Sequence, residues 1–289
     1  MLDEERQYLN FFAQQLQQNT NLQEINLKLQ MSLFYDKLLS TERNSNPKRL
    51  LKYGYKAFSQ NEEDGIIQEI FLRIGTESKV FIEFGVENGL ECNSLNLLYS
   101  GWSGLWIDGN KNNIDYIQQN FSHMVHNQKL RTVLSFITAE NINYLISNFS
   151  FSLQVDLLSI DIDSNDYWIW KAINIIQPRV VVIEYNSIFR PPISLTVPYD
   201  PQGTFDGSCC FGASLSALEI LGKEKGYSLV GCNLSGVNAF FVRNDLIQDK
   251  FFEPFTAENH YESPKLFMAP LPSNTHPTKF GNFVTIPNK

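Results

Sequence analysis

No stretch of this 289-residue sequence carries the run of apolar residues that a membrane-spanning helix needs. Its 23 Lys and Arg form no dense cluster, so the electrostatic footprint of a nucleic-acid-binding surface is missing too. Cysteine is scarce: four residues, at 92, 209, 210 and 232, with no zinc-ligand spacing. A bridge between the adjacent Cys209 and Cys210 would be strained, so all four are read as thiols of a reducing compartment. The opening MLDEERQYLNFF has no apolar core of a signal peptide, and the expected location is the cytoplasm. Histidine is rare as well, and His123 and His126, on a helix-to-strand connection, read as surface residues.

Hydrophobic residues are plentiful, at 43%, and include 22 Phe and 12 Tyr, enough to fill a core without covalent or metal staples. The net charge of -8 reads as a solubilising surface. Leu9, Phe12, Leu16, Leu22, Ile25, Leu29 and Leu33 recur at roughly helical spacing over residues 3–42. Residues 1–45 are therefore expected to be a helical extension, a candidate for docking on the body or for homo-oligomer contacts. The turn-rich STERNSNPKR (40–49) closes it. The main domain is expected over 46–244. A Pro-rich irregular tail over 245–289 is expected to pack on that domain.

Within the main domain, short apolar runs alternate with amphipathic segments. KVFIEFG (79–85), SGLWIDG (103–109), LRTVLSFIT (130–138), VDLLSIDID (155–163) and PRVVVIEYN (178–186) read as buried parallel strands. Residues 89–100, 111–120, 140–149 and 166–177 read as the intervening helices. Strict alternation implies right-handed crossovers and a parallel α/β sheet. A helix over 213–226 follows, and then YSLVGCN (227–233) and NAFFVRN (238–244) separated only by LSGV. So short a link excludes a crossover and requires an antiparallel hairpin. Parallel strands ending in such a hairpin, in order 3-2-1-4-5-7-6, resemble the Rossmann-like sheet of class I S-adenosylmethionine (SAM) methyltransferases.

Ligands of such sheets bind beyond the carboxyl ends of the strands, where strand order reverses. The first strand ends in Glu83-Phe-Gly85-Val-Glu-Asn88-Gly89. Two glycines here let a ligand approach the backbone, and a helix start would favour the methionine carboxylate of SAM. The third glycine of the dinucleotide fingerprint is missing, which argues against NAD. Glu83 is positioned to accept a bond from the SAM amino group, and Asp108, ending the second strand, from the ribose hydroxyls. Thr138-Ala-Glu140-Asn141 follows the third strand, where either an adenine contact or a helix cap is expected.

SQNEEDGIIQEIF (59–71), FIEFGVENGLECNS (81–94), GWSGLWIDGN (101–110) and LLSIDIDSNDYWIW (157–170) resemble the FkbM-like family of SAM-dependent methyltransferases. VVIEYN (181–186), FDGSCCFGASL (205–215) and GYSLVGCNLSGVNAFFVR (226–243) extend the resemblance over residues 53–243. It implies a SAM site lined by Gln60, Glu83, Gly85, Asp108 and Glu140. It also implies O-methylation of a sugar or secondary-metabolite hydroxyl. The sequence has Glu83-Phe-Gly-Val-Glu-Asn-Gly where the broader family has Asp-x-Gly-Ala-Asn-x-Gly.

The densest acidic stretch, DIDSNDYWIW (161–170), admits several chemistries. An EF-hand loop fails, because its sixth and twelfth positions would be Asp166 and Ala172 in place of Gly and Glu. A glycosyltransferase DXD site fits locally but leaves the glycine turn and the hairpin unexplained. Strand alternation puts Asp161 and Asp163 on one face, and Glu184 and Asn186 share a face on the next strand. Several carboxylates so close need a proton, a cationic group or a metal. Mg2+ held by Asp161, Asp163, Glu184 and Asn186 would suit these oxygen ligands and acidify the acceptor hydroxyl. The metal-free alternative makes Asp163 or Glu184 the general base. Asn165 or Asp166 is expected to cap the next helix, with Tyr167, Trp168 and Trp170 on its buried face. The long connection 186–212 supplies Arg190, Tyr199 and Asp206 as candidate acceptor contacts.

The expectation is a SAM-dependent O-methyltransferase acting on a small-molecule or glycan acceptor, with either Mg2+ or a carboxylate base assisting the proton removal. A nucleotide-sugar glycosyltransferase and a methyltransferase-like module without turnover are its rivals.

Overall fold

Every residue of β1 (Val80–Phe84) is buried, as a central strand covered on both faces requires. The computed structural model describes residues 2–265 and 281–287. The chain forms two compact units, Met1–Asn46 and Pro47–Lys289. The first consists of α1 (Leu2–Leu39) and the short α2 (Glu42–Ser45), with Asn44 donating to the Leu38 carbonyl at 2.9 Å. Leu16, Leu22, Ile25, Leu29 and Leu33 are exposed on α1, while the side chains of Leu9 and Phe12 lie outside the described residues.

The second unit is a three-layer α/β/α sandwich. Its strands are β1, β2 (Ser103–Asp108), β3 (Leu130–Leu134), β4 (Leu157–Ile160), β5 (Val180–Glu184), β6 (Leu195–Thr196), β7 (Tyr227–Cys232), β8 (Asn238–Arg243) and β9 (Val284–Thr285). The main sheet has the order β3-β2-β1-β4-β5-β8-β7. All pairs from β3 to β5 are parallel; β8 lies antiparallel to both β5 and β7. This is the arrangement expected from sequence. The numbering differs because β6, unforeseen, pairs with β9 outside the main sheet. One face of the sheet is covered by α3 (Glu63–Ile74), α4 (Leu95–Tyr99), α5 (Lys111–Asn120) and α6 (Ser122–His126), with Ile66, Ile70, Leu98 and Ile117 against Phe81, Trp106 and Phe240. The other carries α7 (Ile142–Phe149), α8 (Asp166–Ala172) and α9 (Leu215–Glu224), with Ile146, Trp170 and Leu218 against Ile82, Val181 and Phe241. Two helical turns follow the sheet, α10 (Asn244–Ile247) and α11 (Ala257–His260). Residues 266–280 of the expected tail lie outside the described residues. Among the described residues, no helix is long and apolar enough to cross a membrane.

Several elements are shorter than expected, among them the helix expected over 166–177, which ends at Ala172. The fourth strand stops at Ile160, and Asp163, beyond its end, takes a left-handed backbone (φ 62°). The third ends at Leu134, and the first crossover is helical only from Leu95. His123 and His126 are exposed, as expected for surface residues.

Candidate active site at the carboxyl edge of the sheet

The turn after β1 is built by close approach. Gly85 has φ 70°, and a Cβ on it would lie 1.6 Å from the carbonyl oxygen of Asp161. Gly89 (φ 79°) packs on the Trp106 ring, where a Cβ would come within 2.7 Å. The glycines thus let the ends of β1, β2 and β4 converge. Asn88 closes the turn locally, its Oδ1 accepting from Leu90 N at 3.0 Å.

The expectation for Glu83 is corrected by its partners. Oε1 accepts from Asn93 N (2.7 Å) and Ser159 Oγ (3.1 Å), and Oε2 accepts from Ser94 N (2.9 Å) and, more closely, from Ser94 Oγ. These four donors fill the lone-pair sites of a carboxylate, leaving none for a SAM amino group. The helix start expected to hold a ligand's carboxylate holds Glu83 instead, because the crossover helix begins at Leu95, directly after these N–H groups. Burial pushes the Glu83 carboxyl up, against the lowering pull of its hydrogen bonds.

Asp108, at the end of β2 and largely buried, is different. Its Oδ1 accepts from Asn110 N (2.7 Å) and Asn113 Nδ2 (3.1 Å), and its Oδ2 from Glu87 N (2.9 Å). Three of its four acceptor sites are filled and one is open. Glu87 sits beside it with a carboxyl raised by burial and then by Asp163, Asp108 and Glu91.

Asp161, Asp163 and Glu184 converge: one oxygen from each lies within 4.8 Å of the others. The route differs from strand alternation, since Asp163 arrives through the left-handed turn after β4. Asp161 and Glu184 are partly buried and Asp163 is exposed. Burial first, and then the neighbouring acids, push the Asp161 and Glu184 carboxyls well above the ordinary range. Asp166 starts α8, accepts from Ile162 N at 2.9 Å through Oδ1, and is pushed up to about 6 by burial. Among the described residues, Asp166 Oδ2 and Glu184 Oε2 are buried without a hydrogen-bond partner.

Asn186 is held by the connection that follows β5: its Nδ2 donates to the Cys209 and Phe211 carbonyls (both 3.0 Å) and its Oδ1 accepts from Ile188 N (3.2 Å), which uses one of the two acceptor sites of that oxygen. That connection runs along the carboxyl edge as a strap. Trp168 Nε1 donates to the Val197 carbonyl (2.8 Å) and Asn165 Nδ2 to the Asp200 carbonyl (2.7 Å). Trp168 is accordingly half-buried, whereas Tyr167 and Trp170 are core residues.

The strap separates the candidate acceptor residues. Tyr199 is carried to the end of β3, where its hydroxyl donates to Glu140 (2.6 Å) and accepts from Ala139 N (3.0 Å). It therefore belongs beside Glu140, whose carboxyl it holds below its usual range, and not on the β5 side. Arg190 is exposed and bonded to Tyr261, and Asp206 is exposed, accepting from Ser208 N at 3.0 Å. Gln60 is exposed, with its carbonyl accepting from Lys56 Nζ at 3.1 Å. Sequence reasoning missed the strap's anchors and Asn238, which faces the acids from β8.

No protein-family model matches the sequence, and no curated protein matches it. Among solved structures, the chain is similar to the N-terminal domain of EvdMO1 with SAH bound, at 11% identity and a TM-score of 0.41, over 74% of this chain and 94% of that one. It is similar to a putative caffeoyl-CoA O-methyltransferase from Staphylococcus aureus, at 14% identity and a TM-score of 0.41, over 62% of this chain and 81% of that one. A third is the glycopeptide N-methyltransferase MtfA complexed with SAH, at 10% identity and a TM-score of 0.39, over 68% and 91% of the two chains.

Proposed function

We propose that this chain is a SAM-dependent O-methyltransferase of the FkbM-like kind, acting on a hydroxyl of a sugar or similar small polar acceptor with Mg2+ assistance. The observation that carries the reading is the placement of two unlike acidic sites at the switch point between β1 and β4. Asp108 offers an open acceptor site at the end of β2, and Asp161, Asp163 and Glu184 converge at the carboxyl ends of β4 and β5.

The residues fit both groups. The SAM ribose needs an acidic acceptor where Asp108 stands, and its sulfonium and ammonium charges suit the Asp161 side of the site. The carboxylate set is all oxygen, with a buried and unpartnered Glu184 Oε2, which is what a hard cation requires. Asp161, Asp163 and Glu184 would hold Mg2+. When bound, Mg2+ lowers the pKa of a hydroxyl that it touches. The methyl group of SAM is already activated, so the protein's work is positioning and proton removal. Glu184, on a core strand, fixes the position of the acceptor side. Asp163, the exposed member of the three, gives the released proton a path to water.

Calorimetry with SAM and S-adenosylhomocysteine tests the reading. Binding of UDP- or GDP-sugars in their place would sink it. Methyl transfer to a sugar acceptor should stop with EDTA and return with Mg2+; full activity in chelator would assign the acids to metal-free base catalysis.

A further inference from the structure

Asn238 begins β8 directly opposite Glu184 of β5 in the antiparallel register. Opposed residues project to the same face of the sheet, with Cβ atoms about 4.5–5.5 Å apart. Asn238 is only 3% exposed. Its Nδ2 donates to Glu63 Oε1 at 3.0 Å, an oxygen that also accepts from Asn233 Nδ2 at 2.7 Å. That pairing fixes the orientation of the amide, since the reversed one would press Oδ1 against the buried Glu63 carboxylate. Oδ1 is thus turned away from Glu63. Among the described residues it has no donor, and neither does Glu184 Oε2.

Two buried acceptors on opposed residues with no donor are costly to fold. No further acceptor relieves them; a shared proton or a positive ion does, and the convergence of Asp161 and Asp163 on the same place favours the ion. Asn186 Oδ1 is held by Ile188 N, whereas Asn238 Oδ1 is a buried neutral oxygen on the same face as Glu184 with no donor among the described residues.

We infer that Asn238 Oδ1 is the fourth protein ligand of a divalent-cation site otherwise made by Asp161, Asp163 and Glu184. The inference rests on the Mg2+-assisted reading above and adds a ligand from β8. Three carboxylates and one amide oxygen form a hard-donor set that suits Mg2+ or Mn2+ and leaves coordination positions for water or acceptor oxygens. Glu63 is then a positioning residue: its grip on Nδ2 aims Oδ1 at the ion.

The test uses the full chain, stripped of metal, with Mn2+ as the probe. Calorimetry and Mn2+ electron paramagnetic resonance should find one bound ion per chain, and Asn238→Ala should weaken its affinity about ten-fold or more. A second measurement needs no variant. In wild-type protein labelled with 15N-asparagine, bound Mn2+ should broaden the Asn238 side-chain amide signal beyond detection. SAM binding is measured in parallel. If SAM binds but Mn2+ does not, the cation site is overturned and the methyltransferase reading survives. If Mn2+ binds equally well to Asn238→Ala, or leaves the Asn238 amide sharp, a metal is present but Asn238 is not its ligand. If neither binds, both readings fall.

Discussion

The carbonyl oxygen of Asp161 occupies the space that a side chain on Gly85 would need, with 1.6 Å between that oxygen and the place a Cβ would take. The glycine turn and the acidic cluster are therefore one mechanical unit, joined across β1 and β4. Gly85→Ala must both relieve the clash and leave the left-handed φ of 70°, which alone costs an L-residue roughly 1–2 kcal/mol. The variant is expected to melt several degrees lower and to lose SAM and Mn2+ binding together. Loss of SAM binding with metal binding intact would show that the two sites move independently.

Glu83 gives the opposite kind of prediction. Each of its oxygens faces a backbone N–H, Asn93 N on Oε1 and Ser94 N on Oε2. In Glu83→Gln one of these N–H groups must meet an NH2 group, whichever way the amide turns. The loss is expected to be on the order of 3 kcal/mol, in the range of buried hydrogen bonds to charged groups. Chemical denaturation without ligand checks it. Unchanged stability with weakened SAM binding would restore Glu83 to the cofactor.

These two residues show what the sequence carries and what it hides. Strand order was legible because apolar runs alternate with amphipathic segments, and because LSGV is too short for a crossover helix. The face on which Glu83 lies was legible from alternation. Its partners were not, because Asn93 and Ser94 arrive through a ten-residue turn whose path depends on Gly85 packing against Asp161. Asp161, Asp163 and Glu184 were singled out from periodicity, yet Asp161 and Asp163 both lie past the end of β4, and Asp163 joins them through a left-handed turn. Asn186 and Asn238 are both amides at strand ends. Only the tertiary structure separates the one spent on loop carbonyls from the one with an open oxygen.

Tyr199 tests the path of the strap. Its hydroxyl links Ala139 N and Glu140 at the end of β3, on the side where the adenine of SAM would lie. Tyr199→Phe removes both bonds, each worth about 0.5–1.5 kcal/mol. The SAM Kd should rise severalfold while the acceptor KM changes little. A raised acceptor KM with an unchanged SAM Kd would return Tyr199 to the acceptor side.

Asp166 makes stability depend on pH in a direction opposite to that of an ordinary ion-paired acid. Burial raises its carboxyl from 3.8 to about 6 in the folded chain. Between those values the folded state holds a proton that the unfolded state has released, so stability falls as pH rises. The loss is complete above about pH 6 and amounts to about 3 kcal/mol, from a shift of roughly two units at 1.36 kcal/mol each. Asp161, raised by burial and then by Asp166, and Glu184, raised by burial and then by Asp161, extend the slope to higher pH. Asp166→Asn keeps an oxygen for Ile162 N and removes the charge. Without metal it should be more stable than wild type at pH 7 and equally stable near pH 4. Saturating Mg2+ should narrow the difference by offsetting the smaller push that the Asp163 charge adds to burial. Denaturant melts of both proteins from pH 4 to 8, with and without Mg2+, check this, and parallel pH profiles for the two would remove Asp166 from the account.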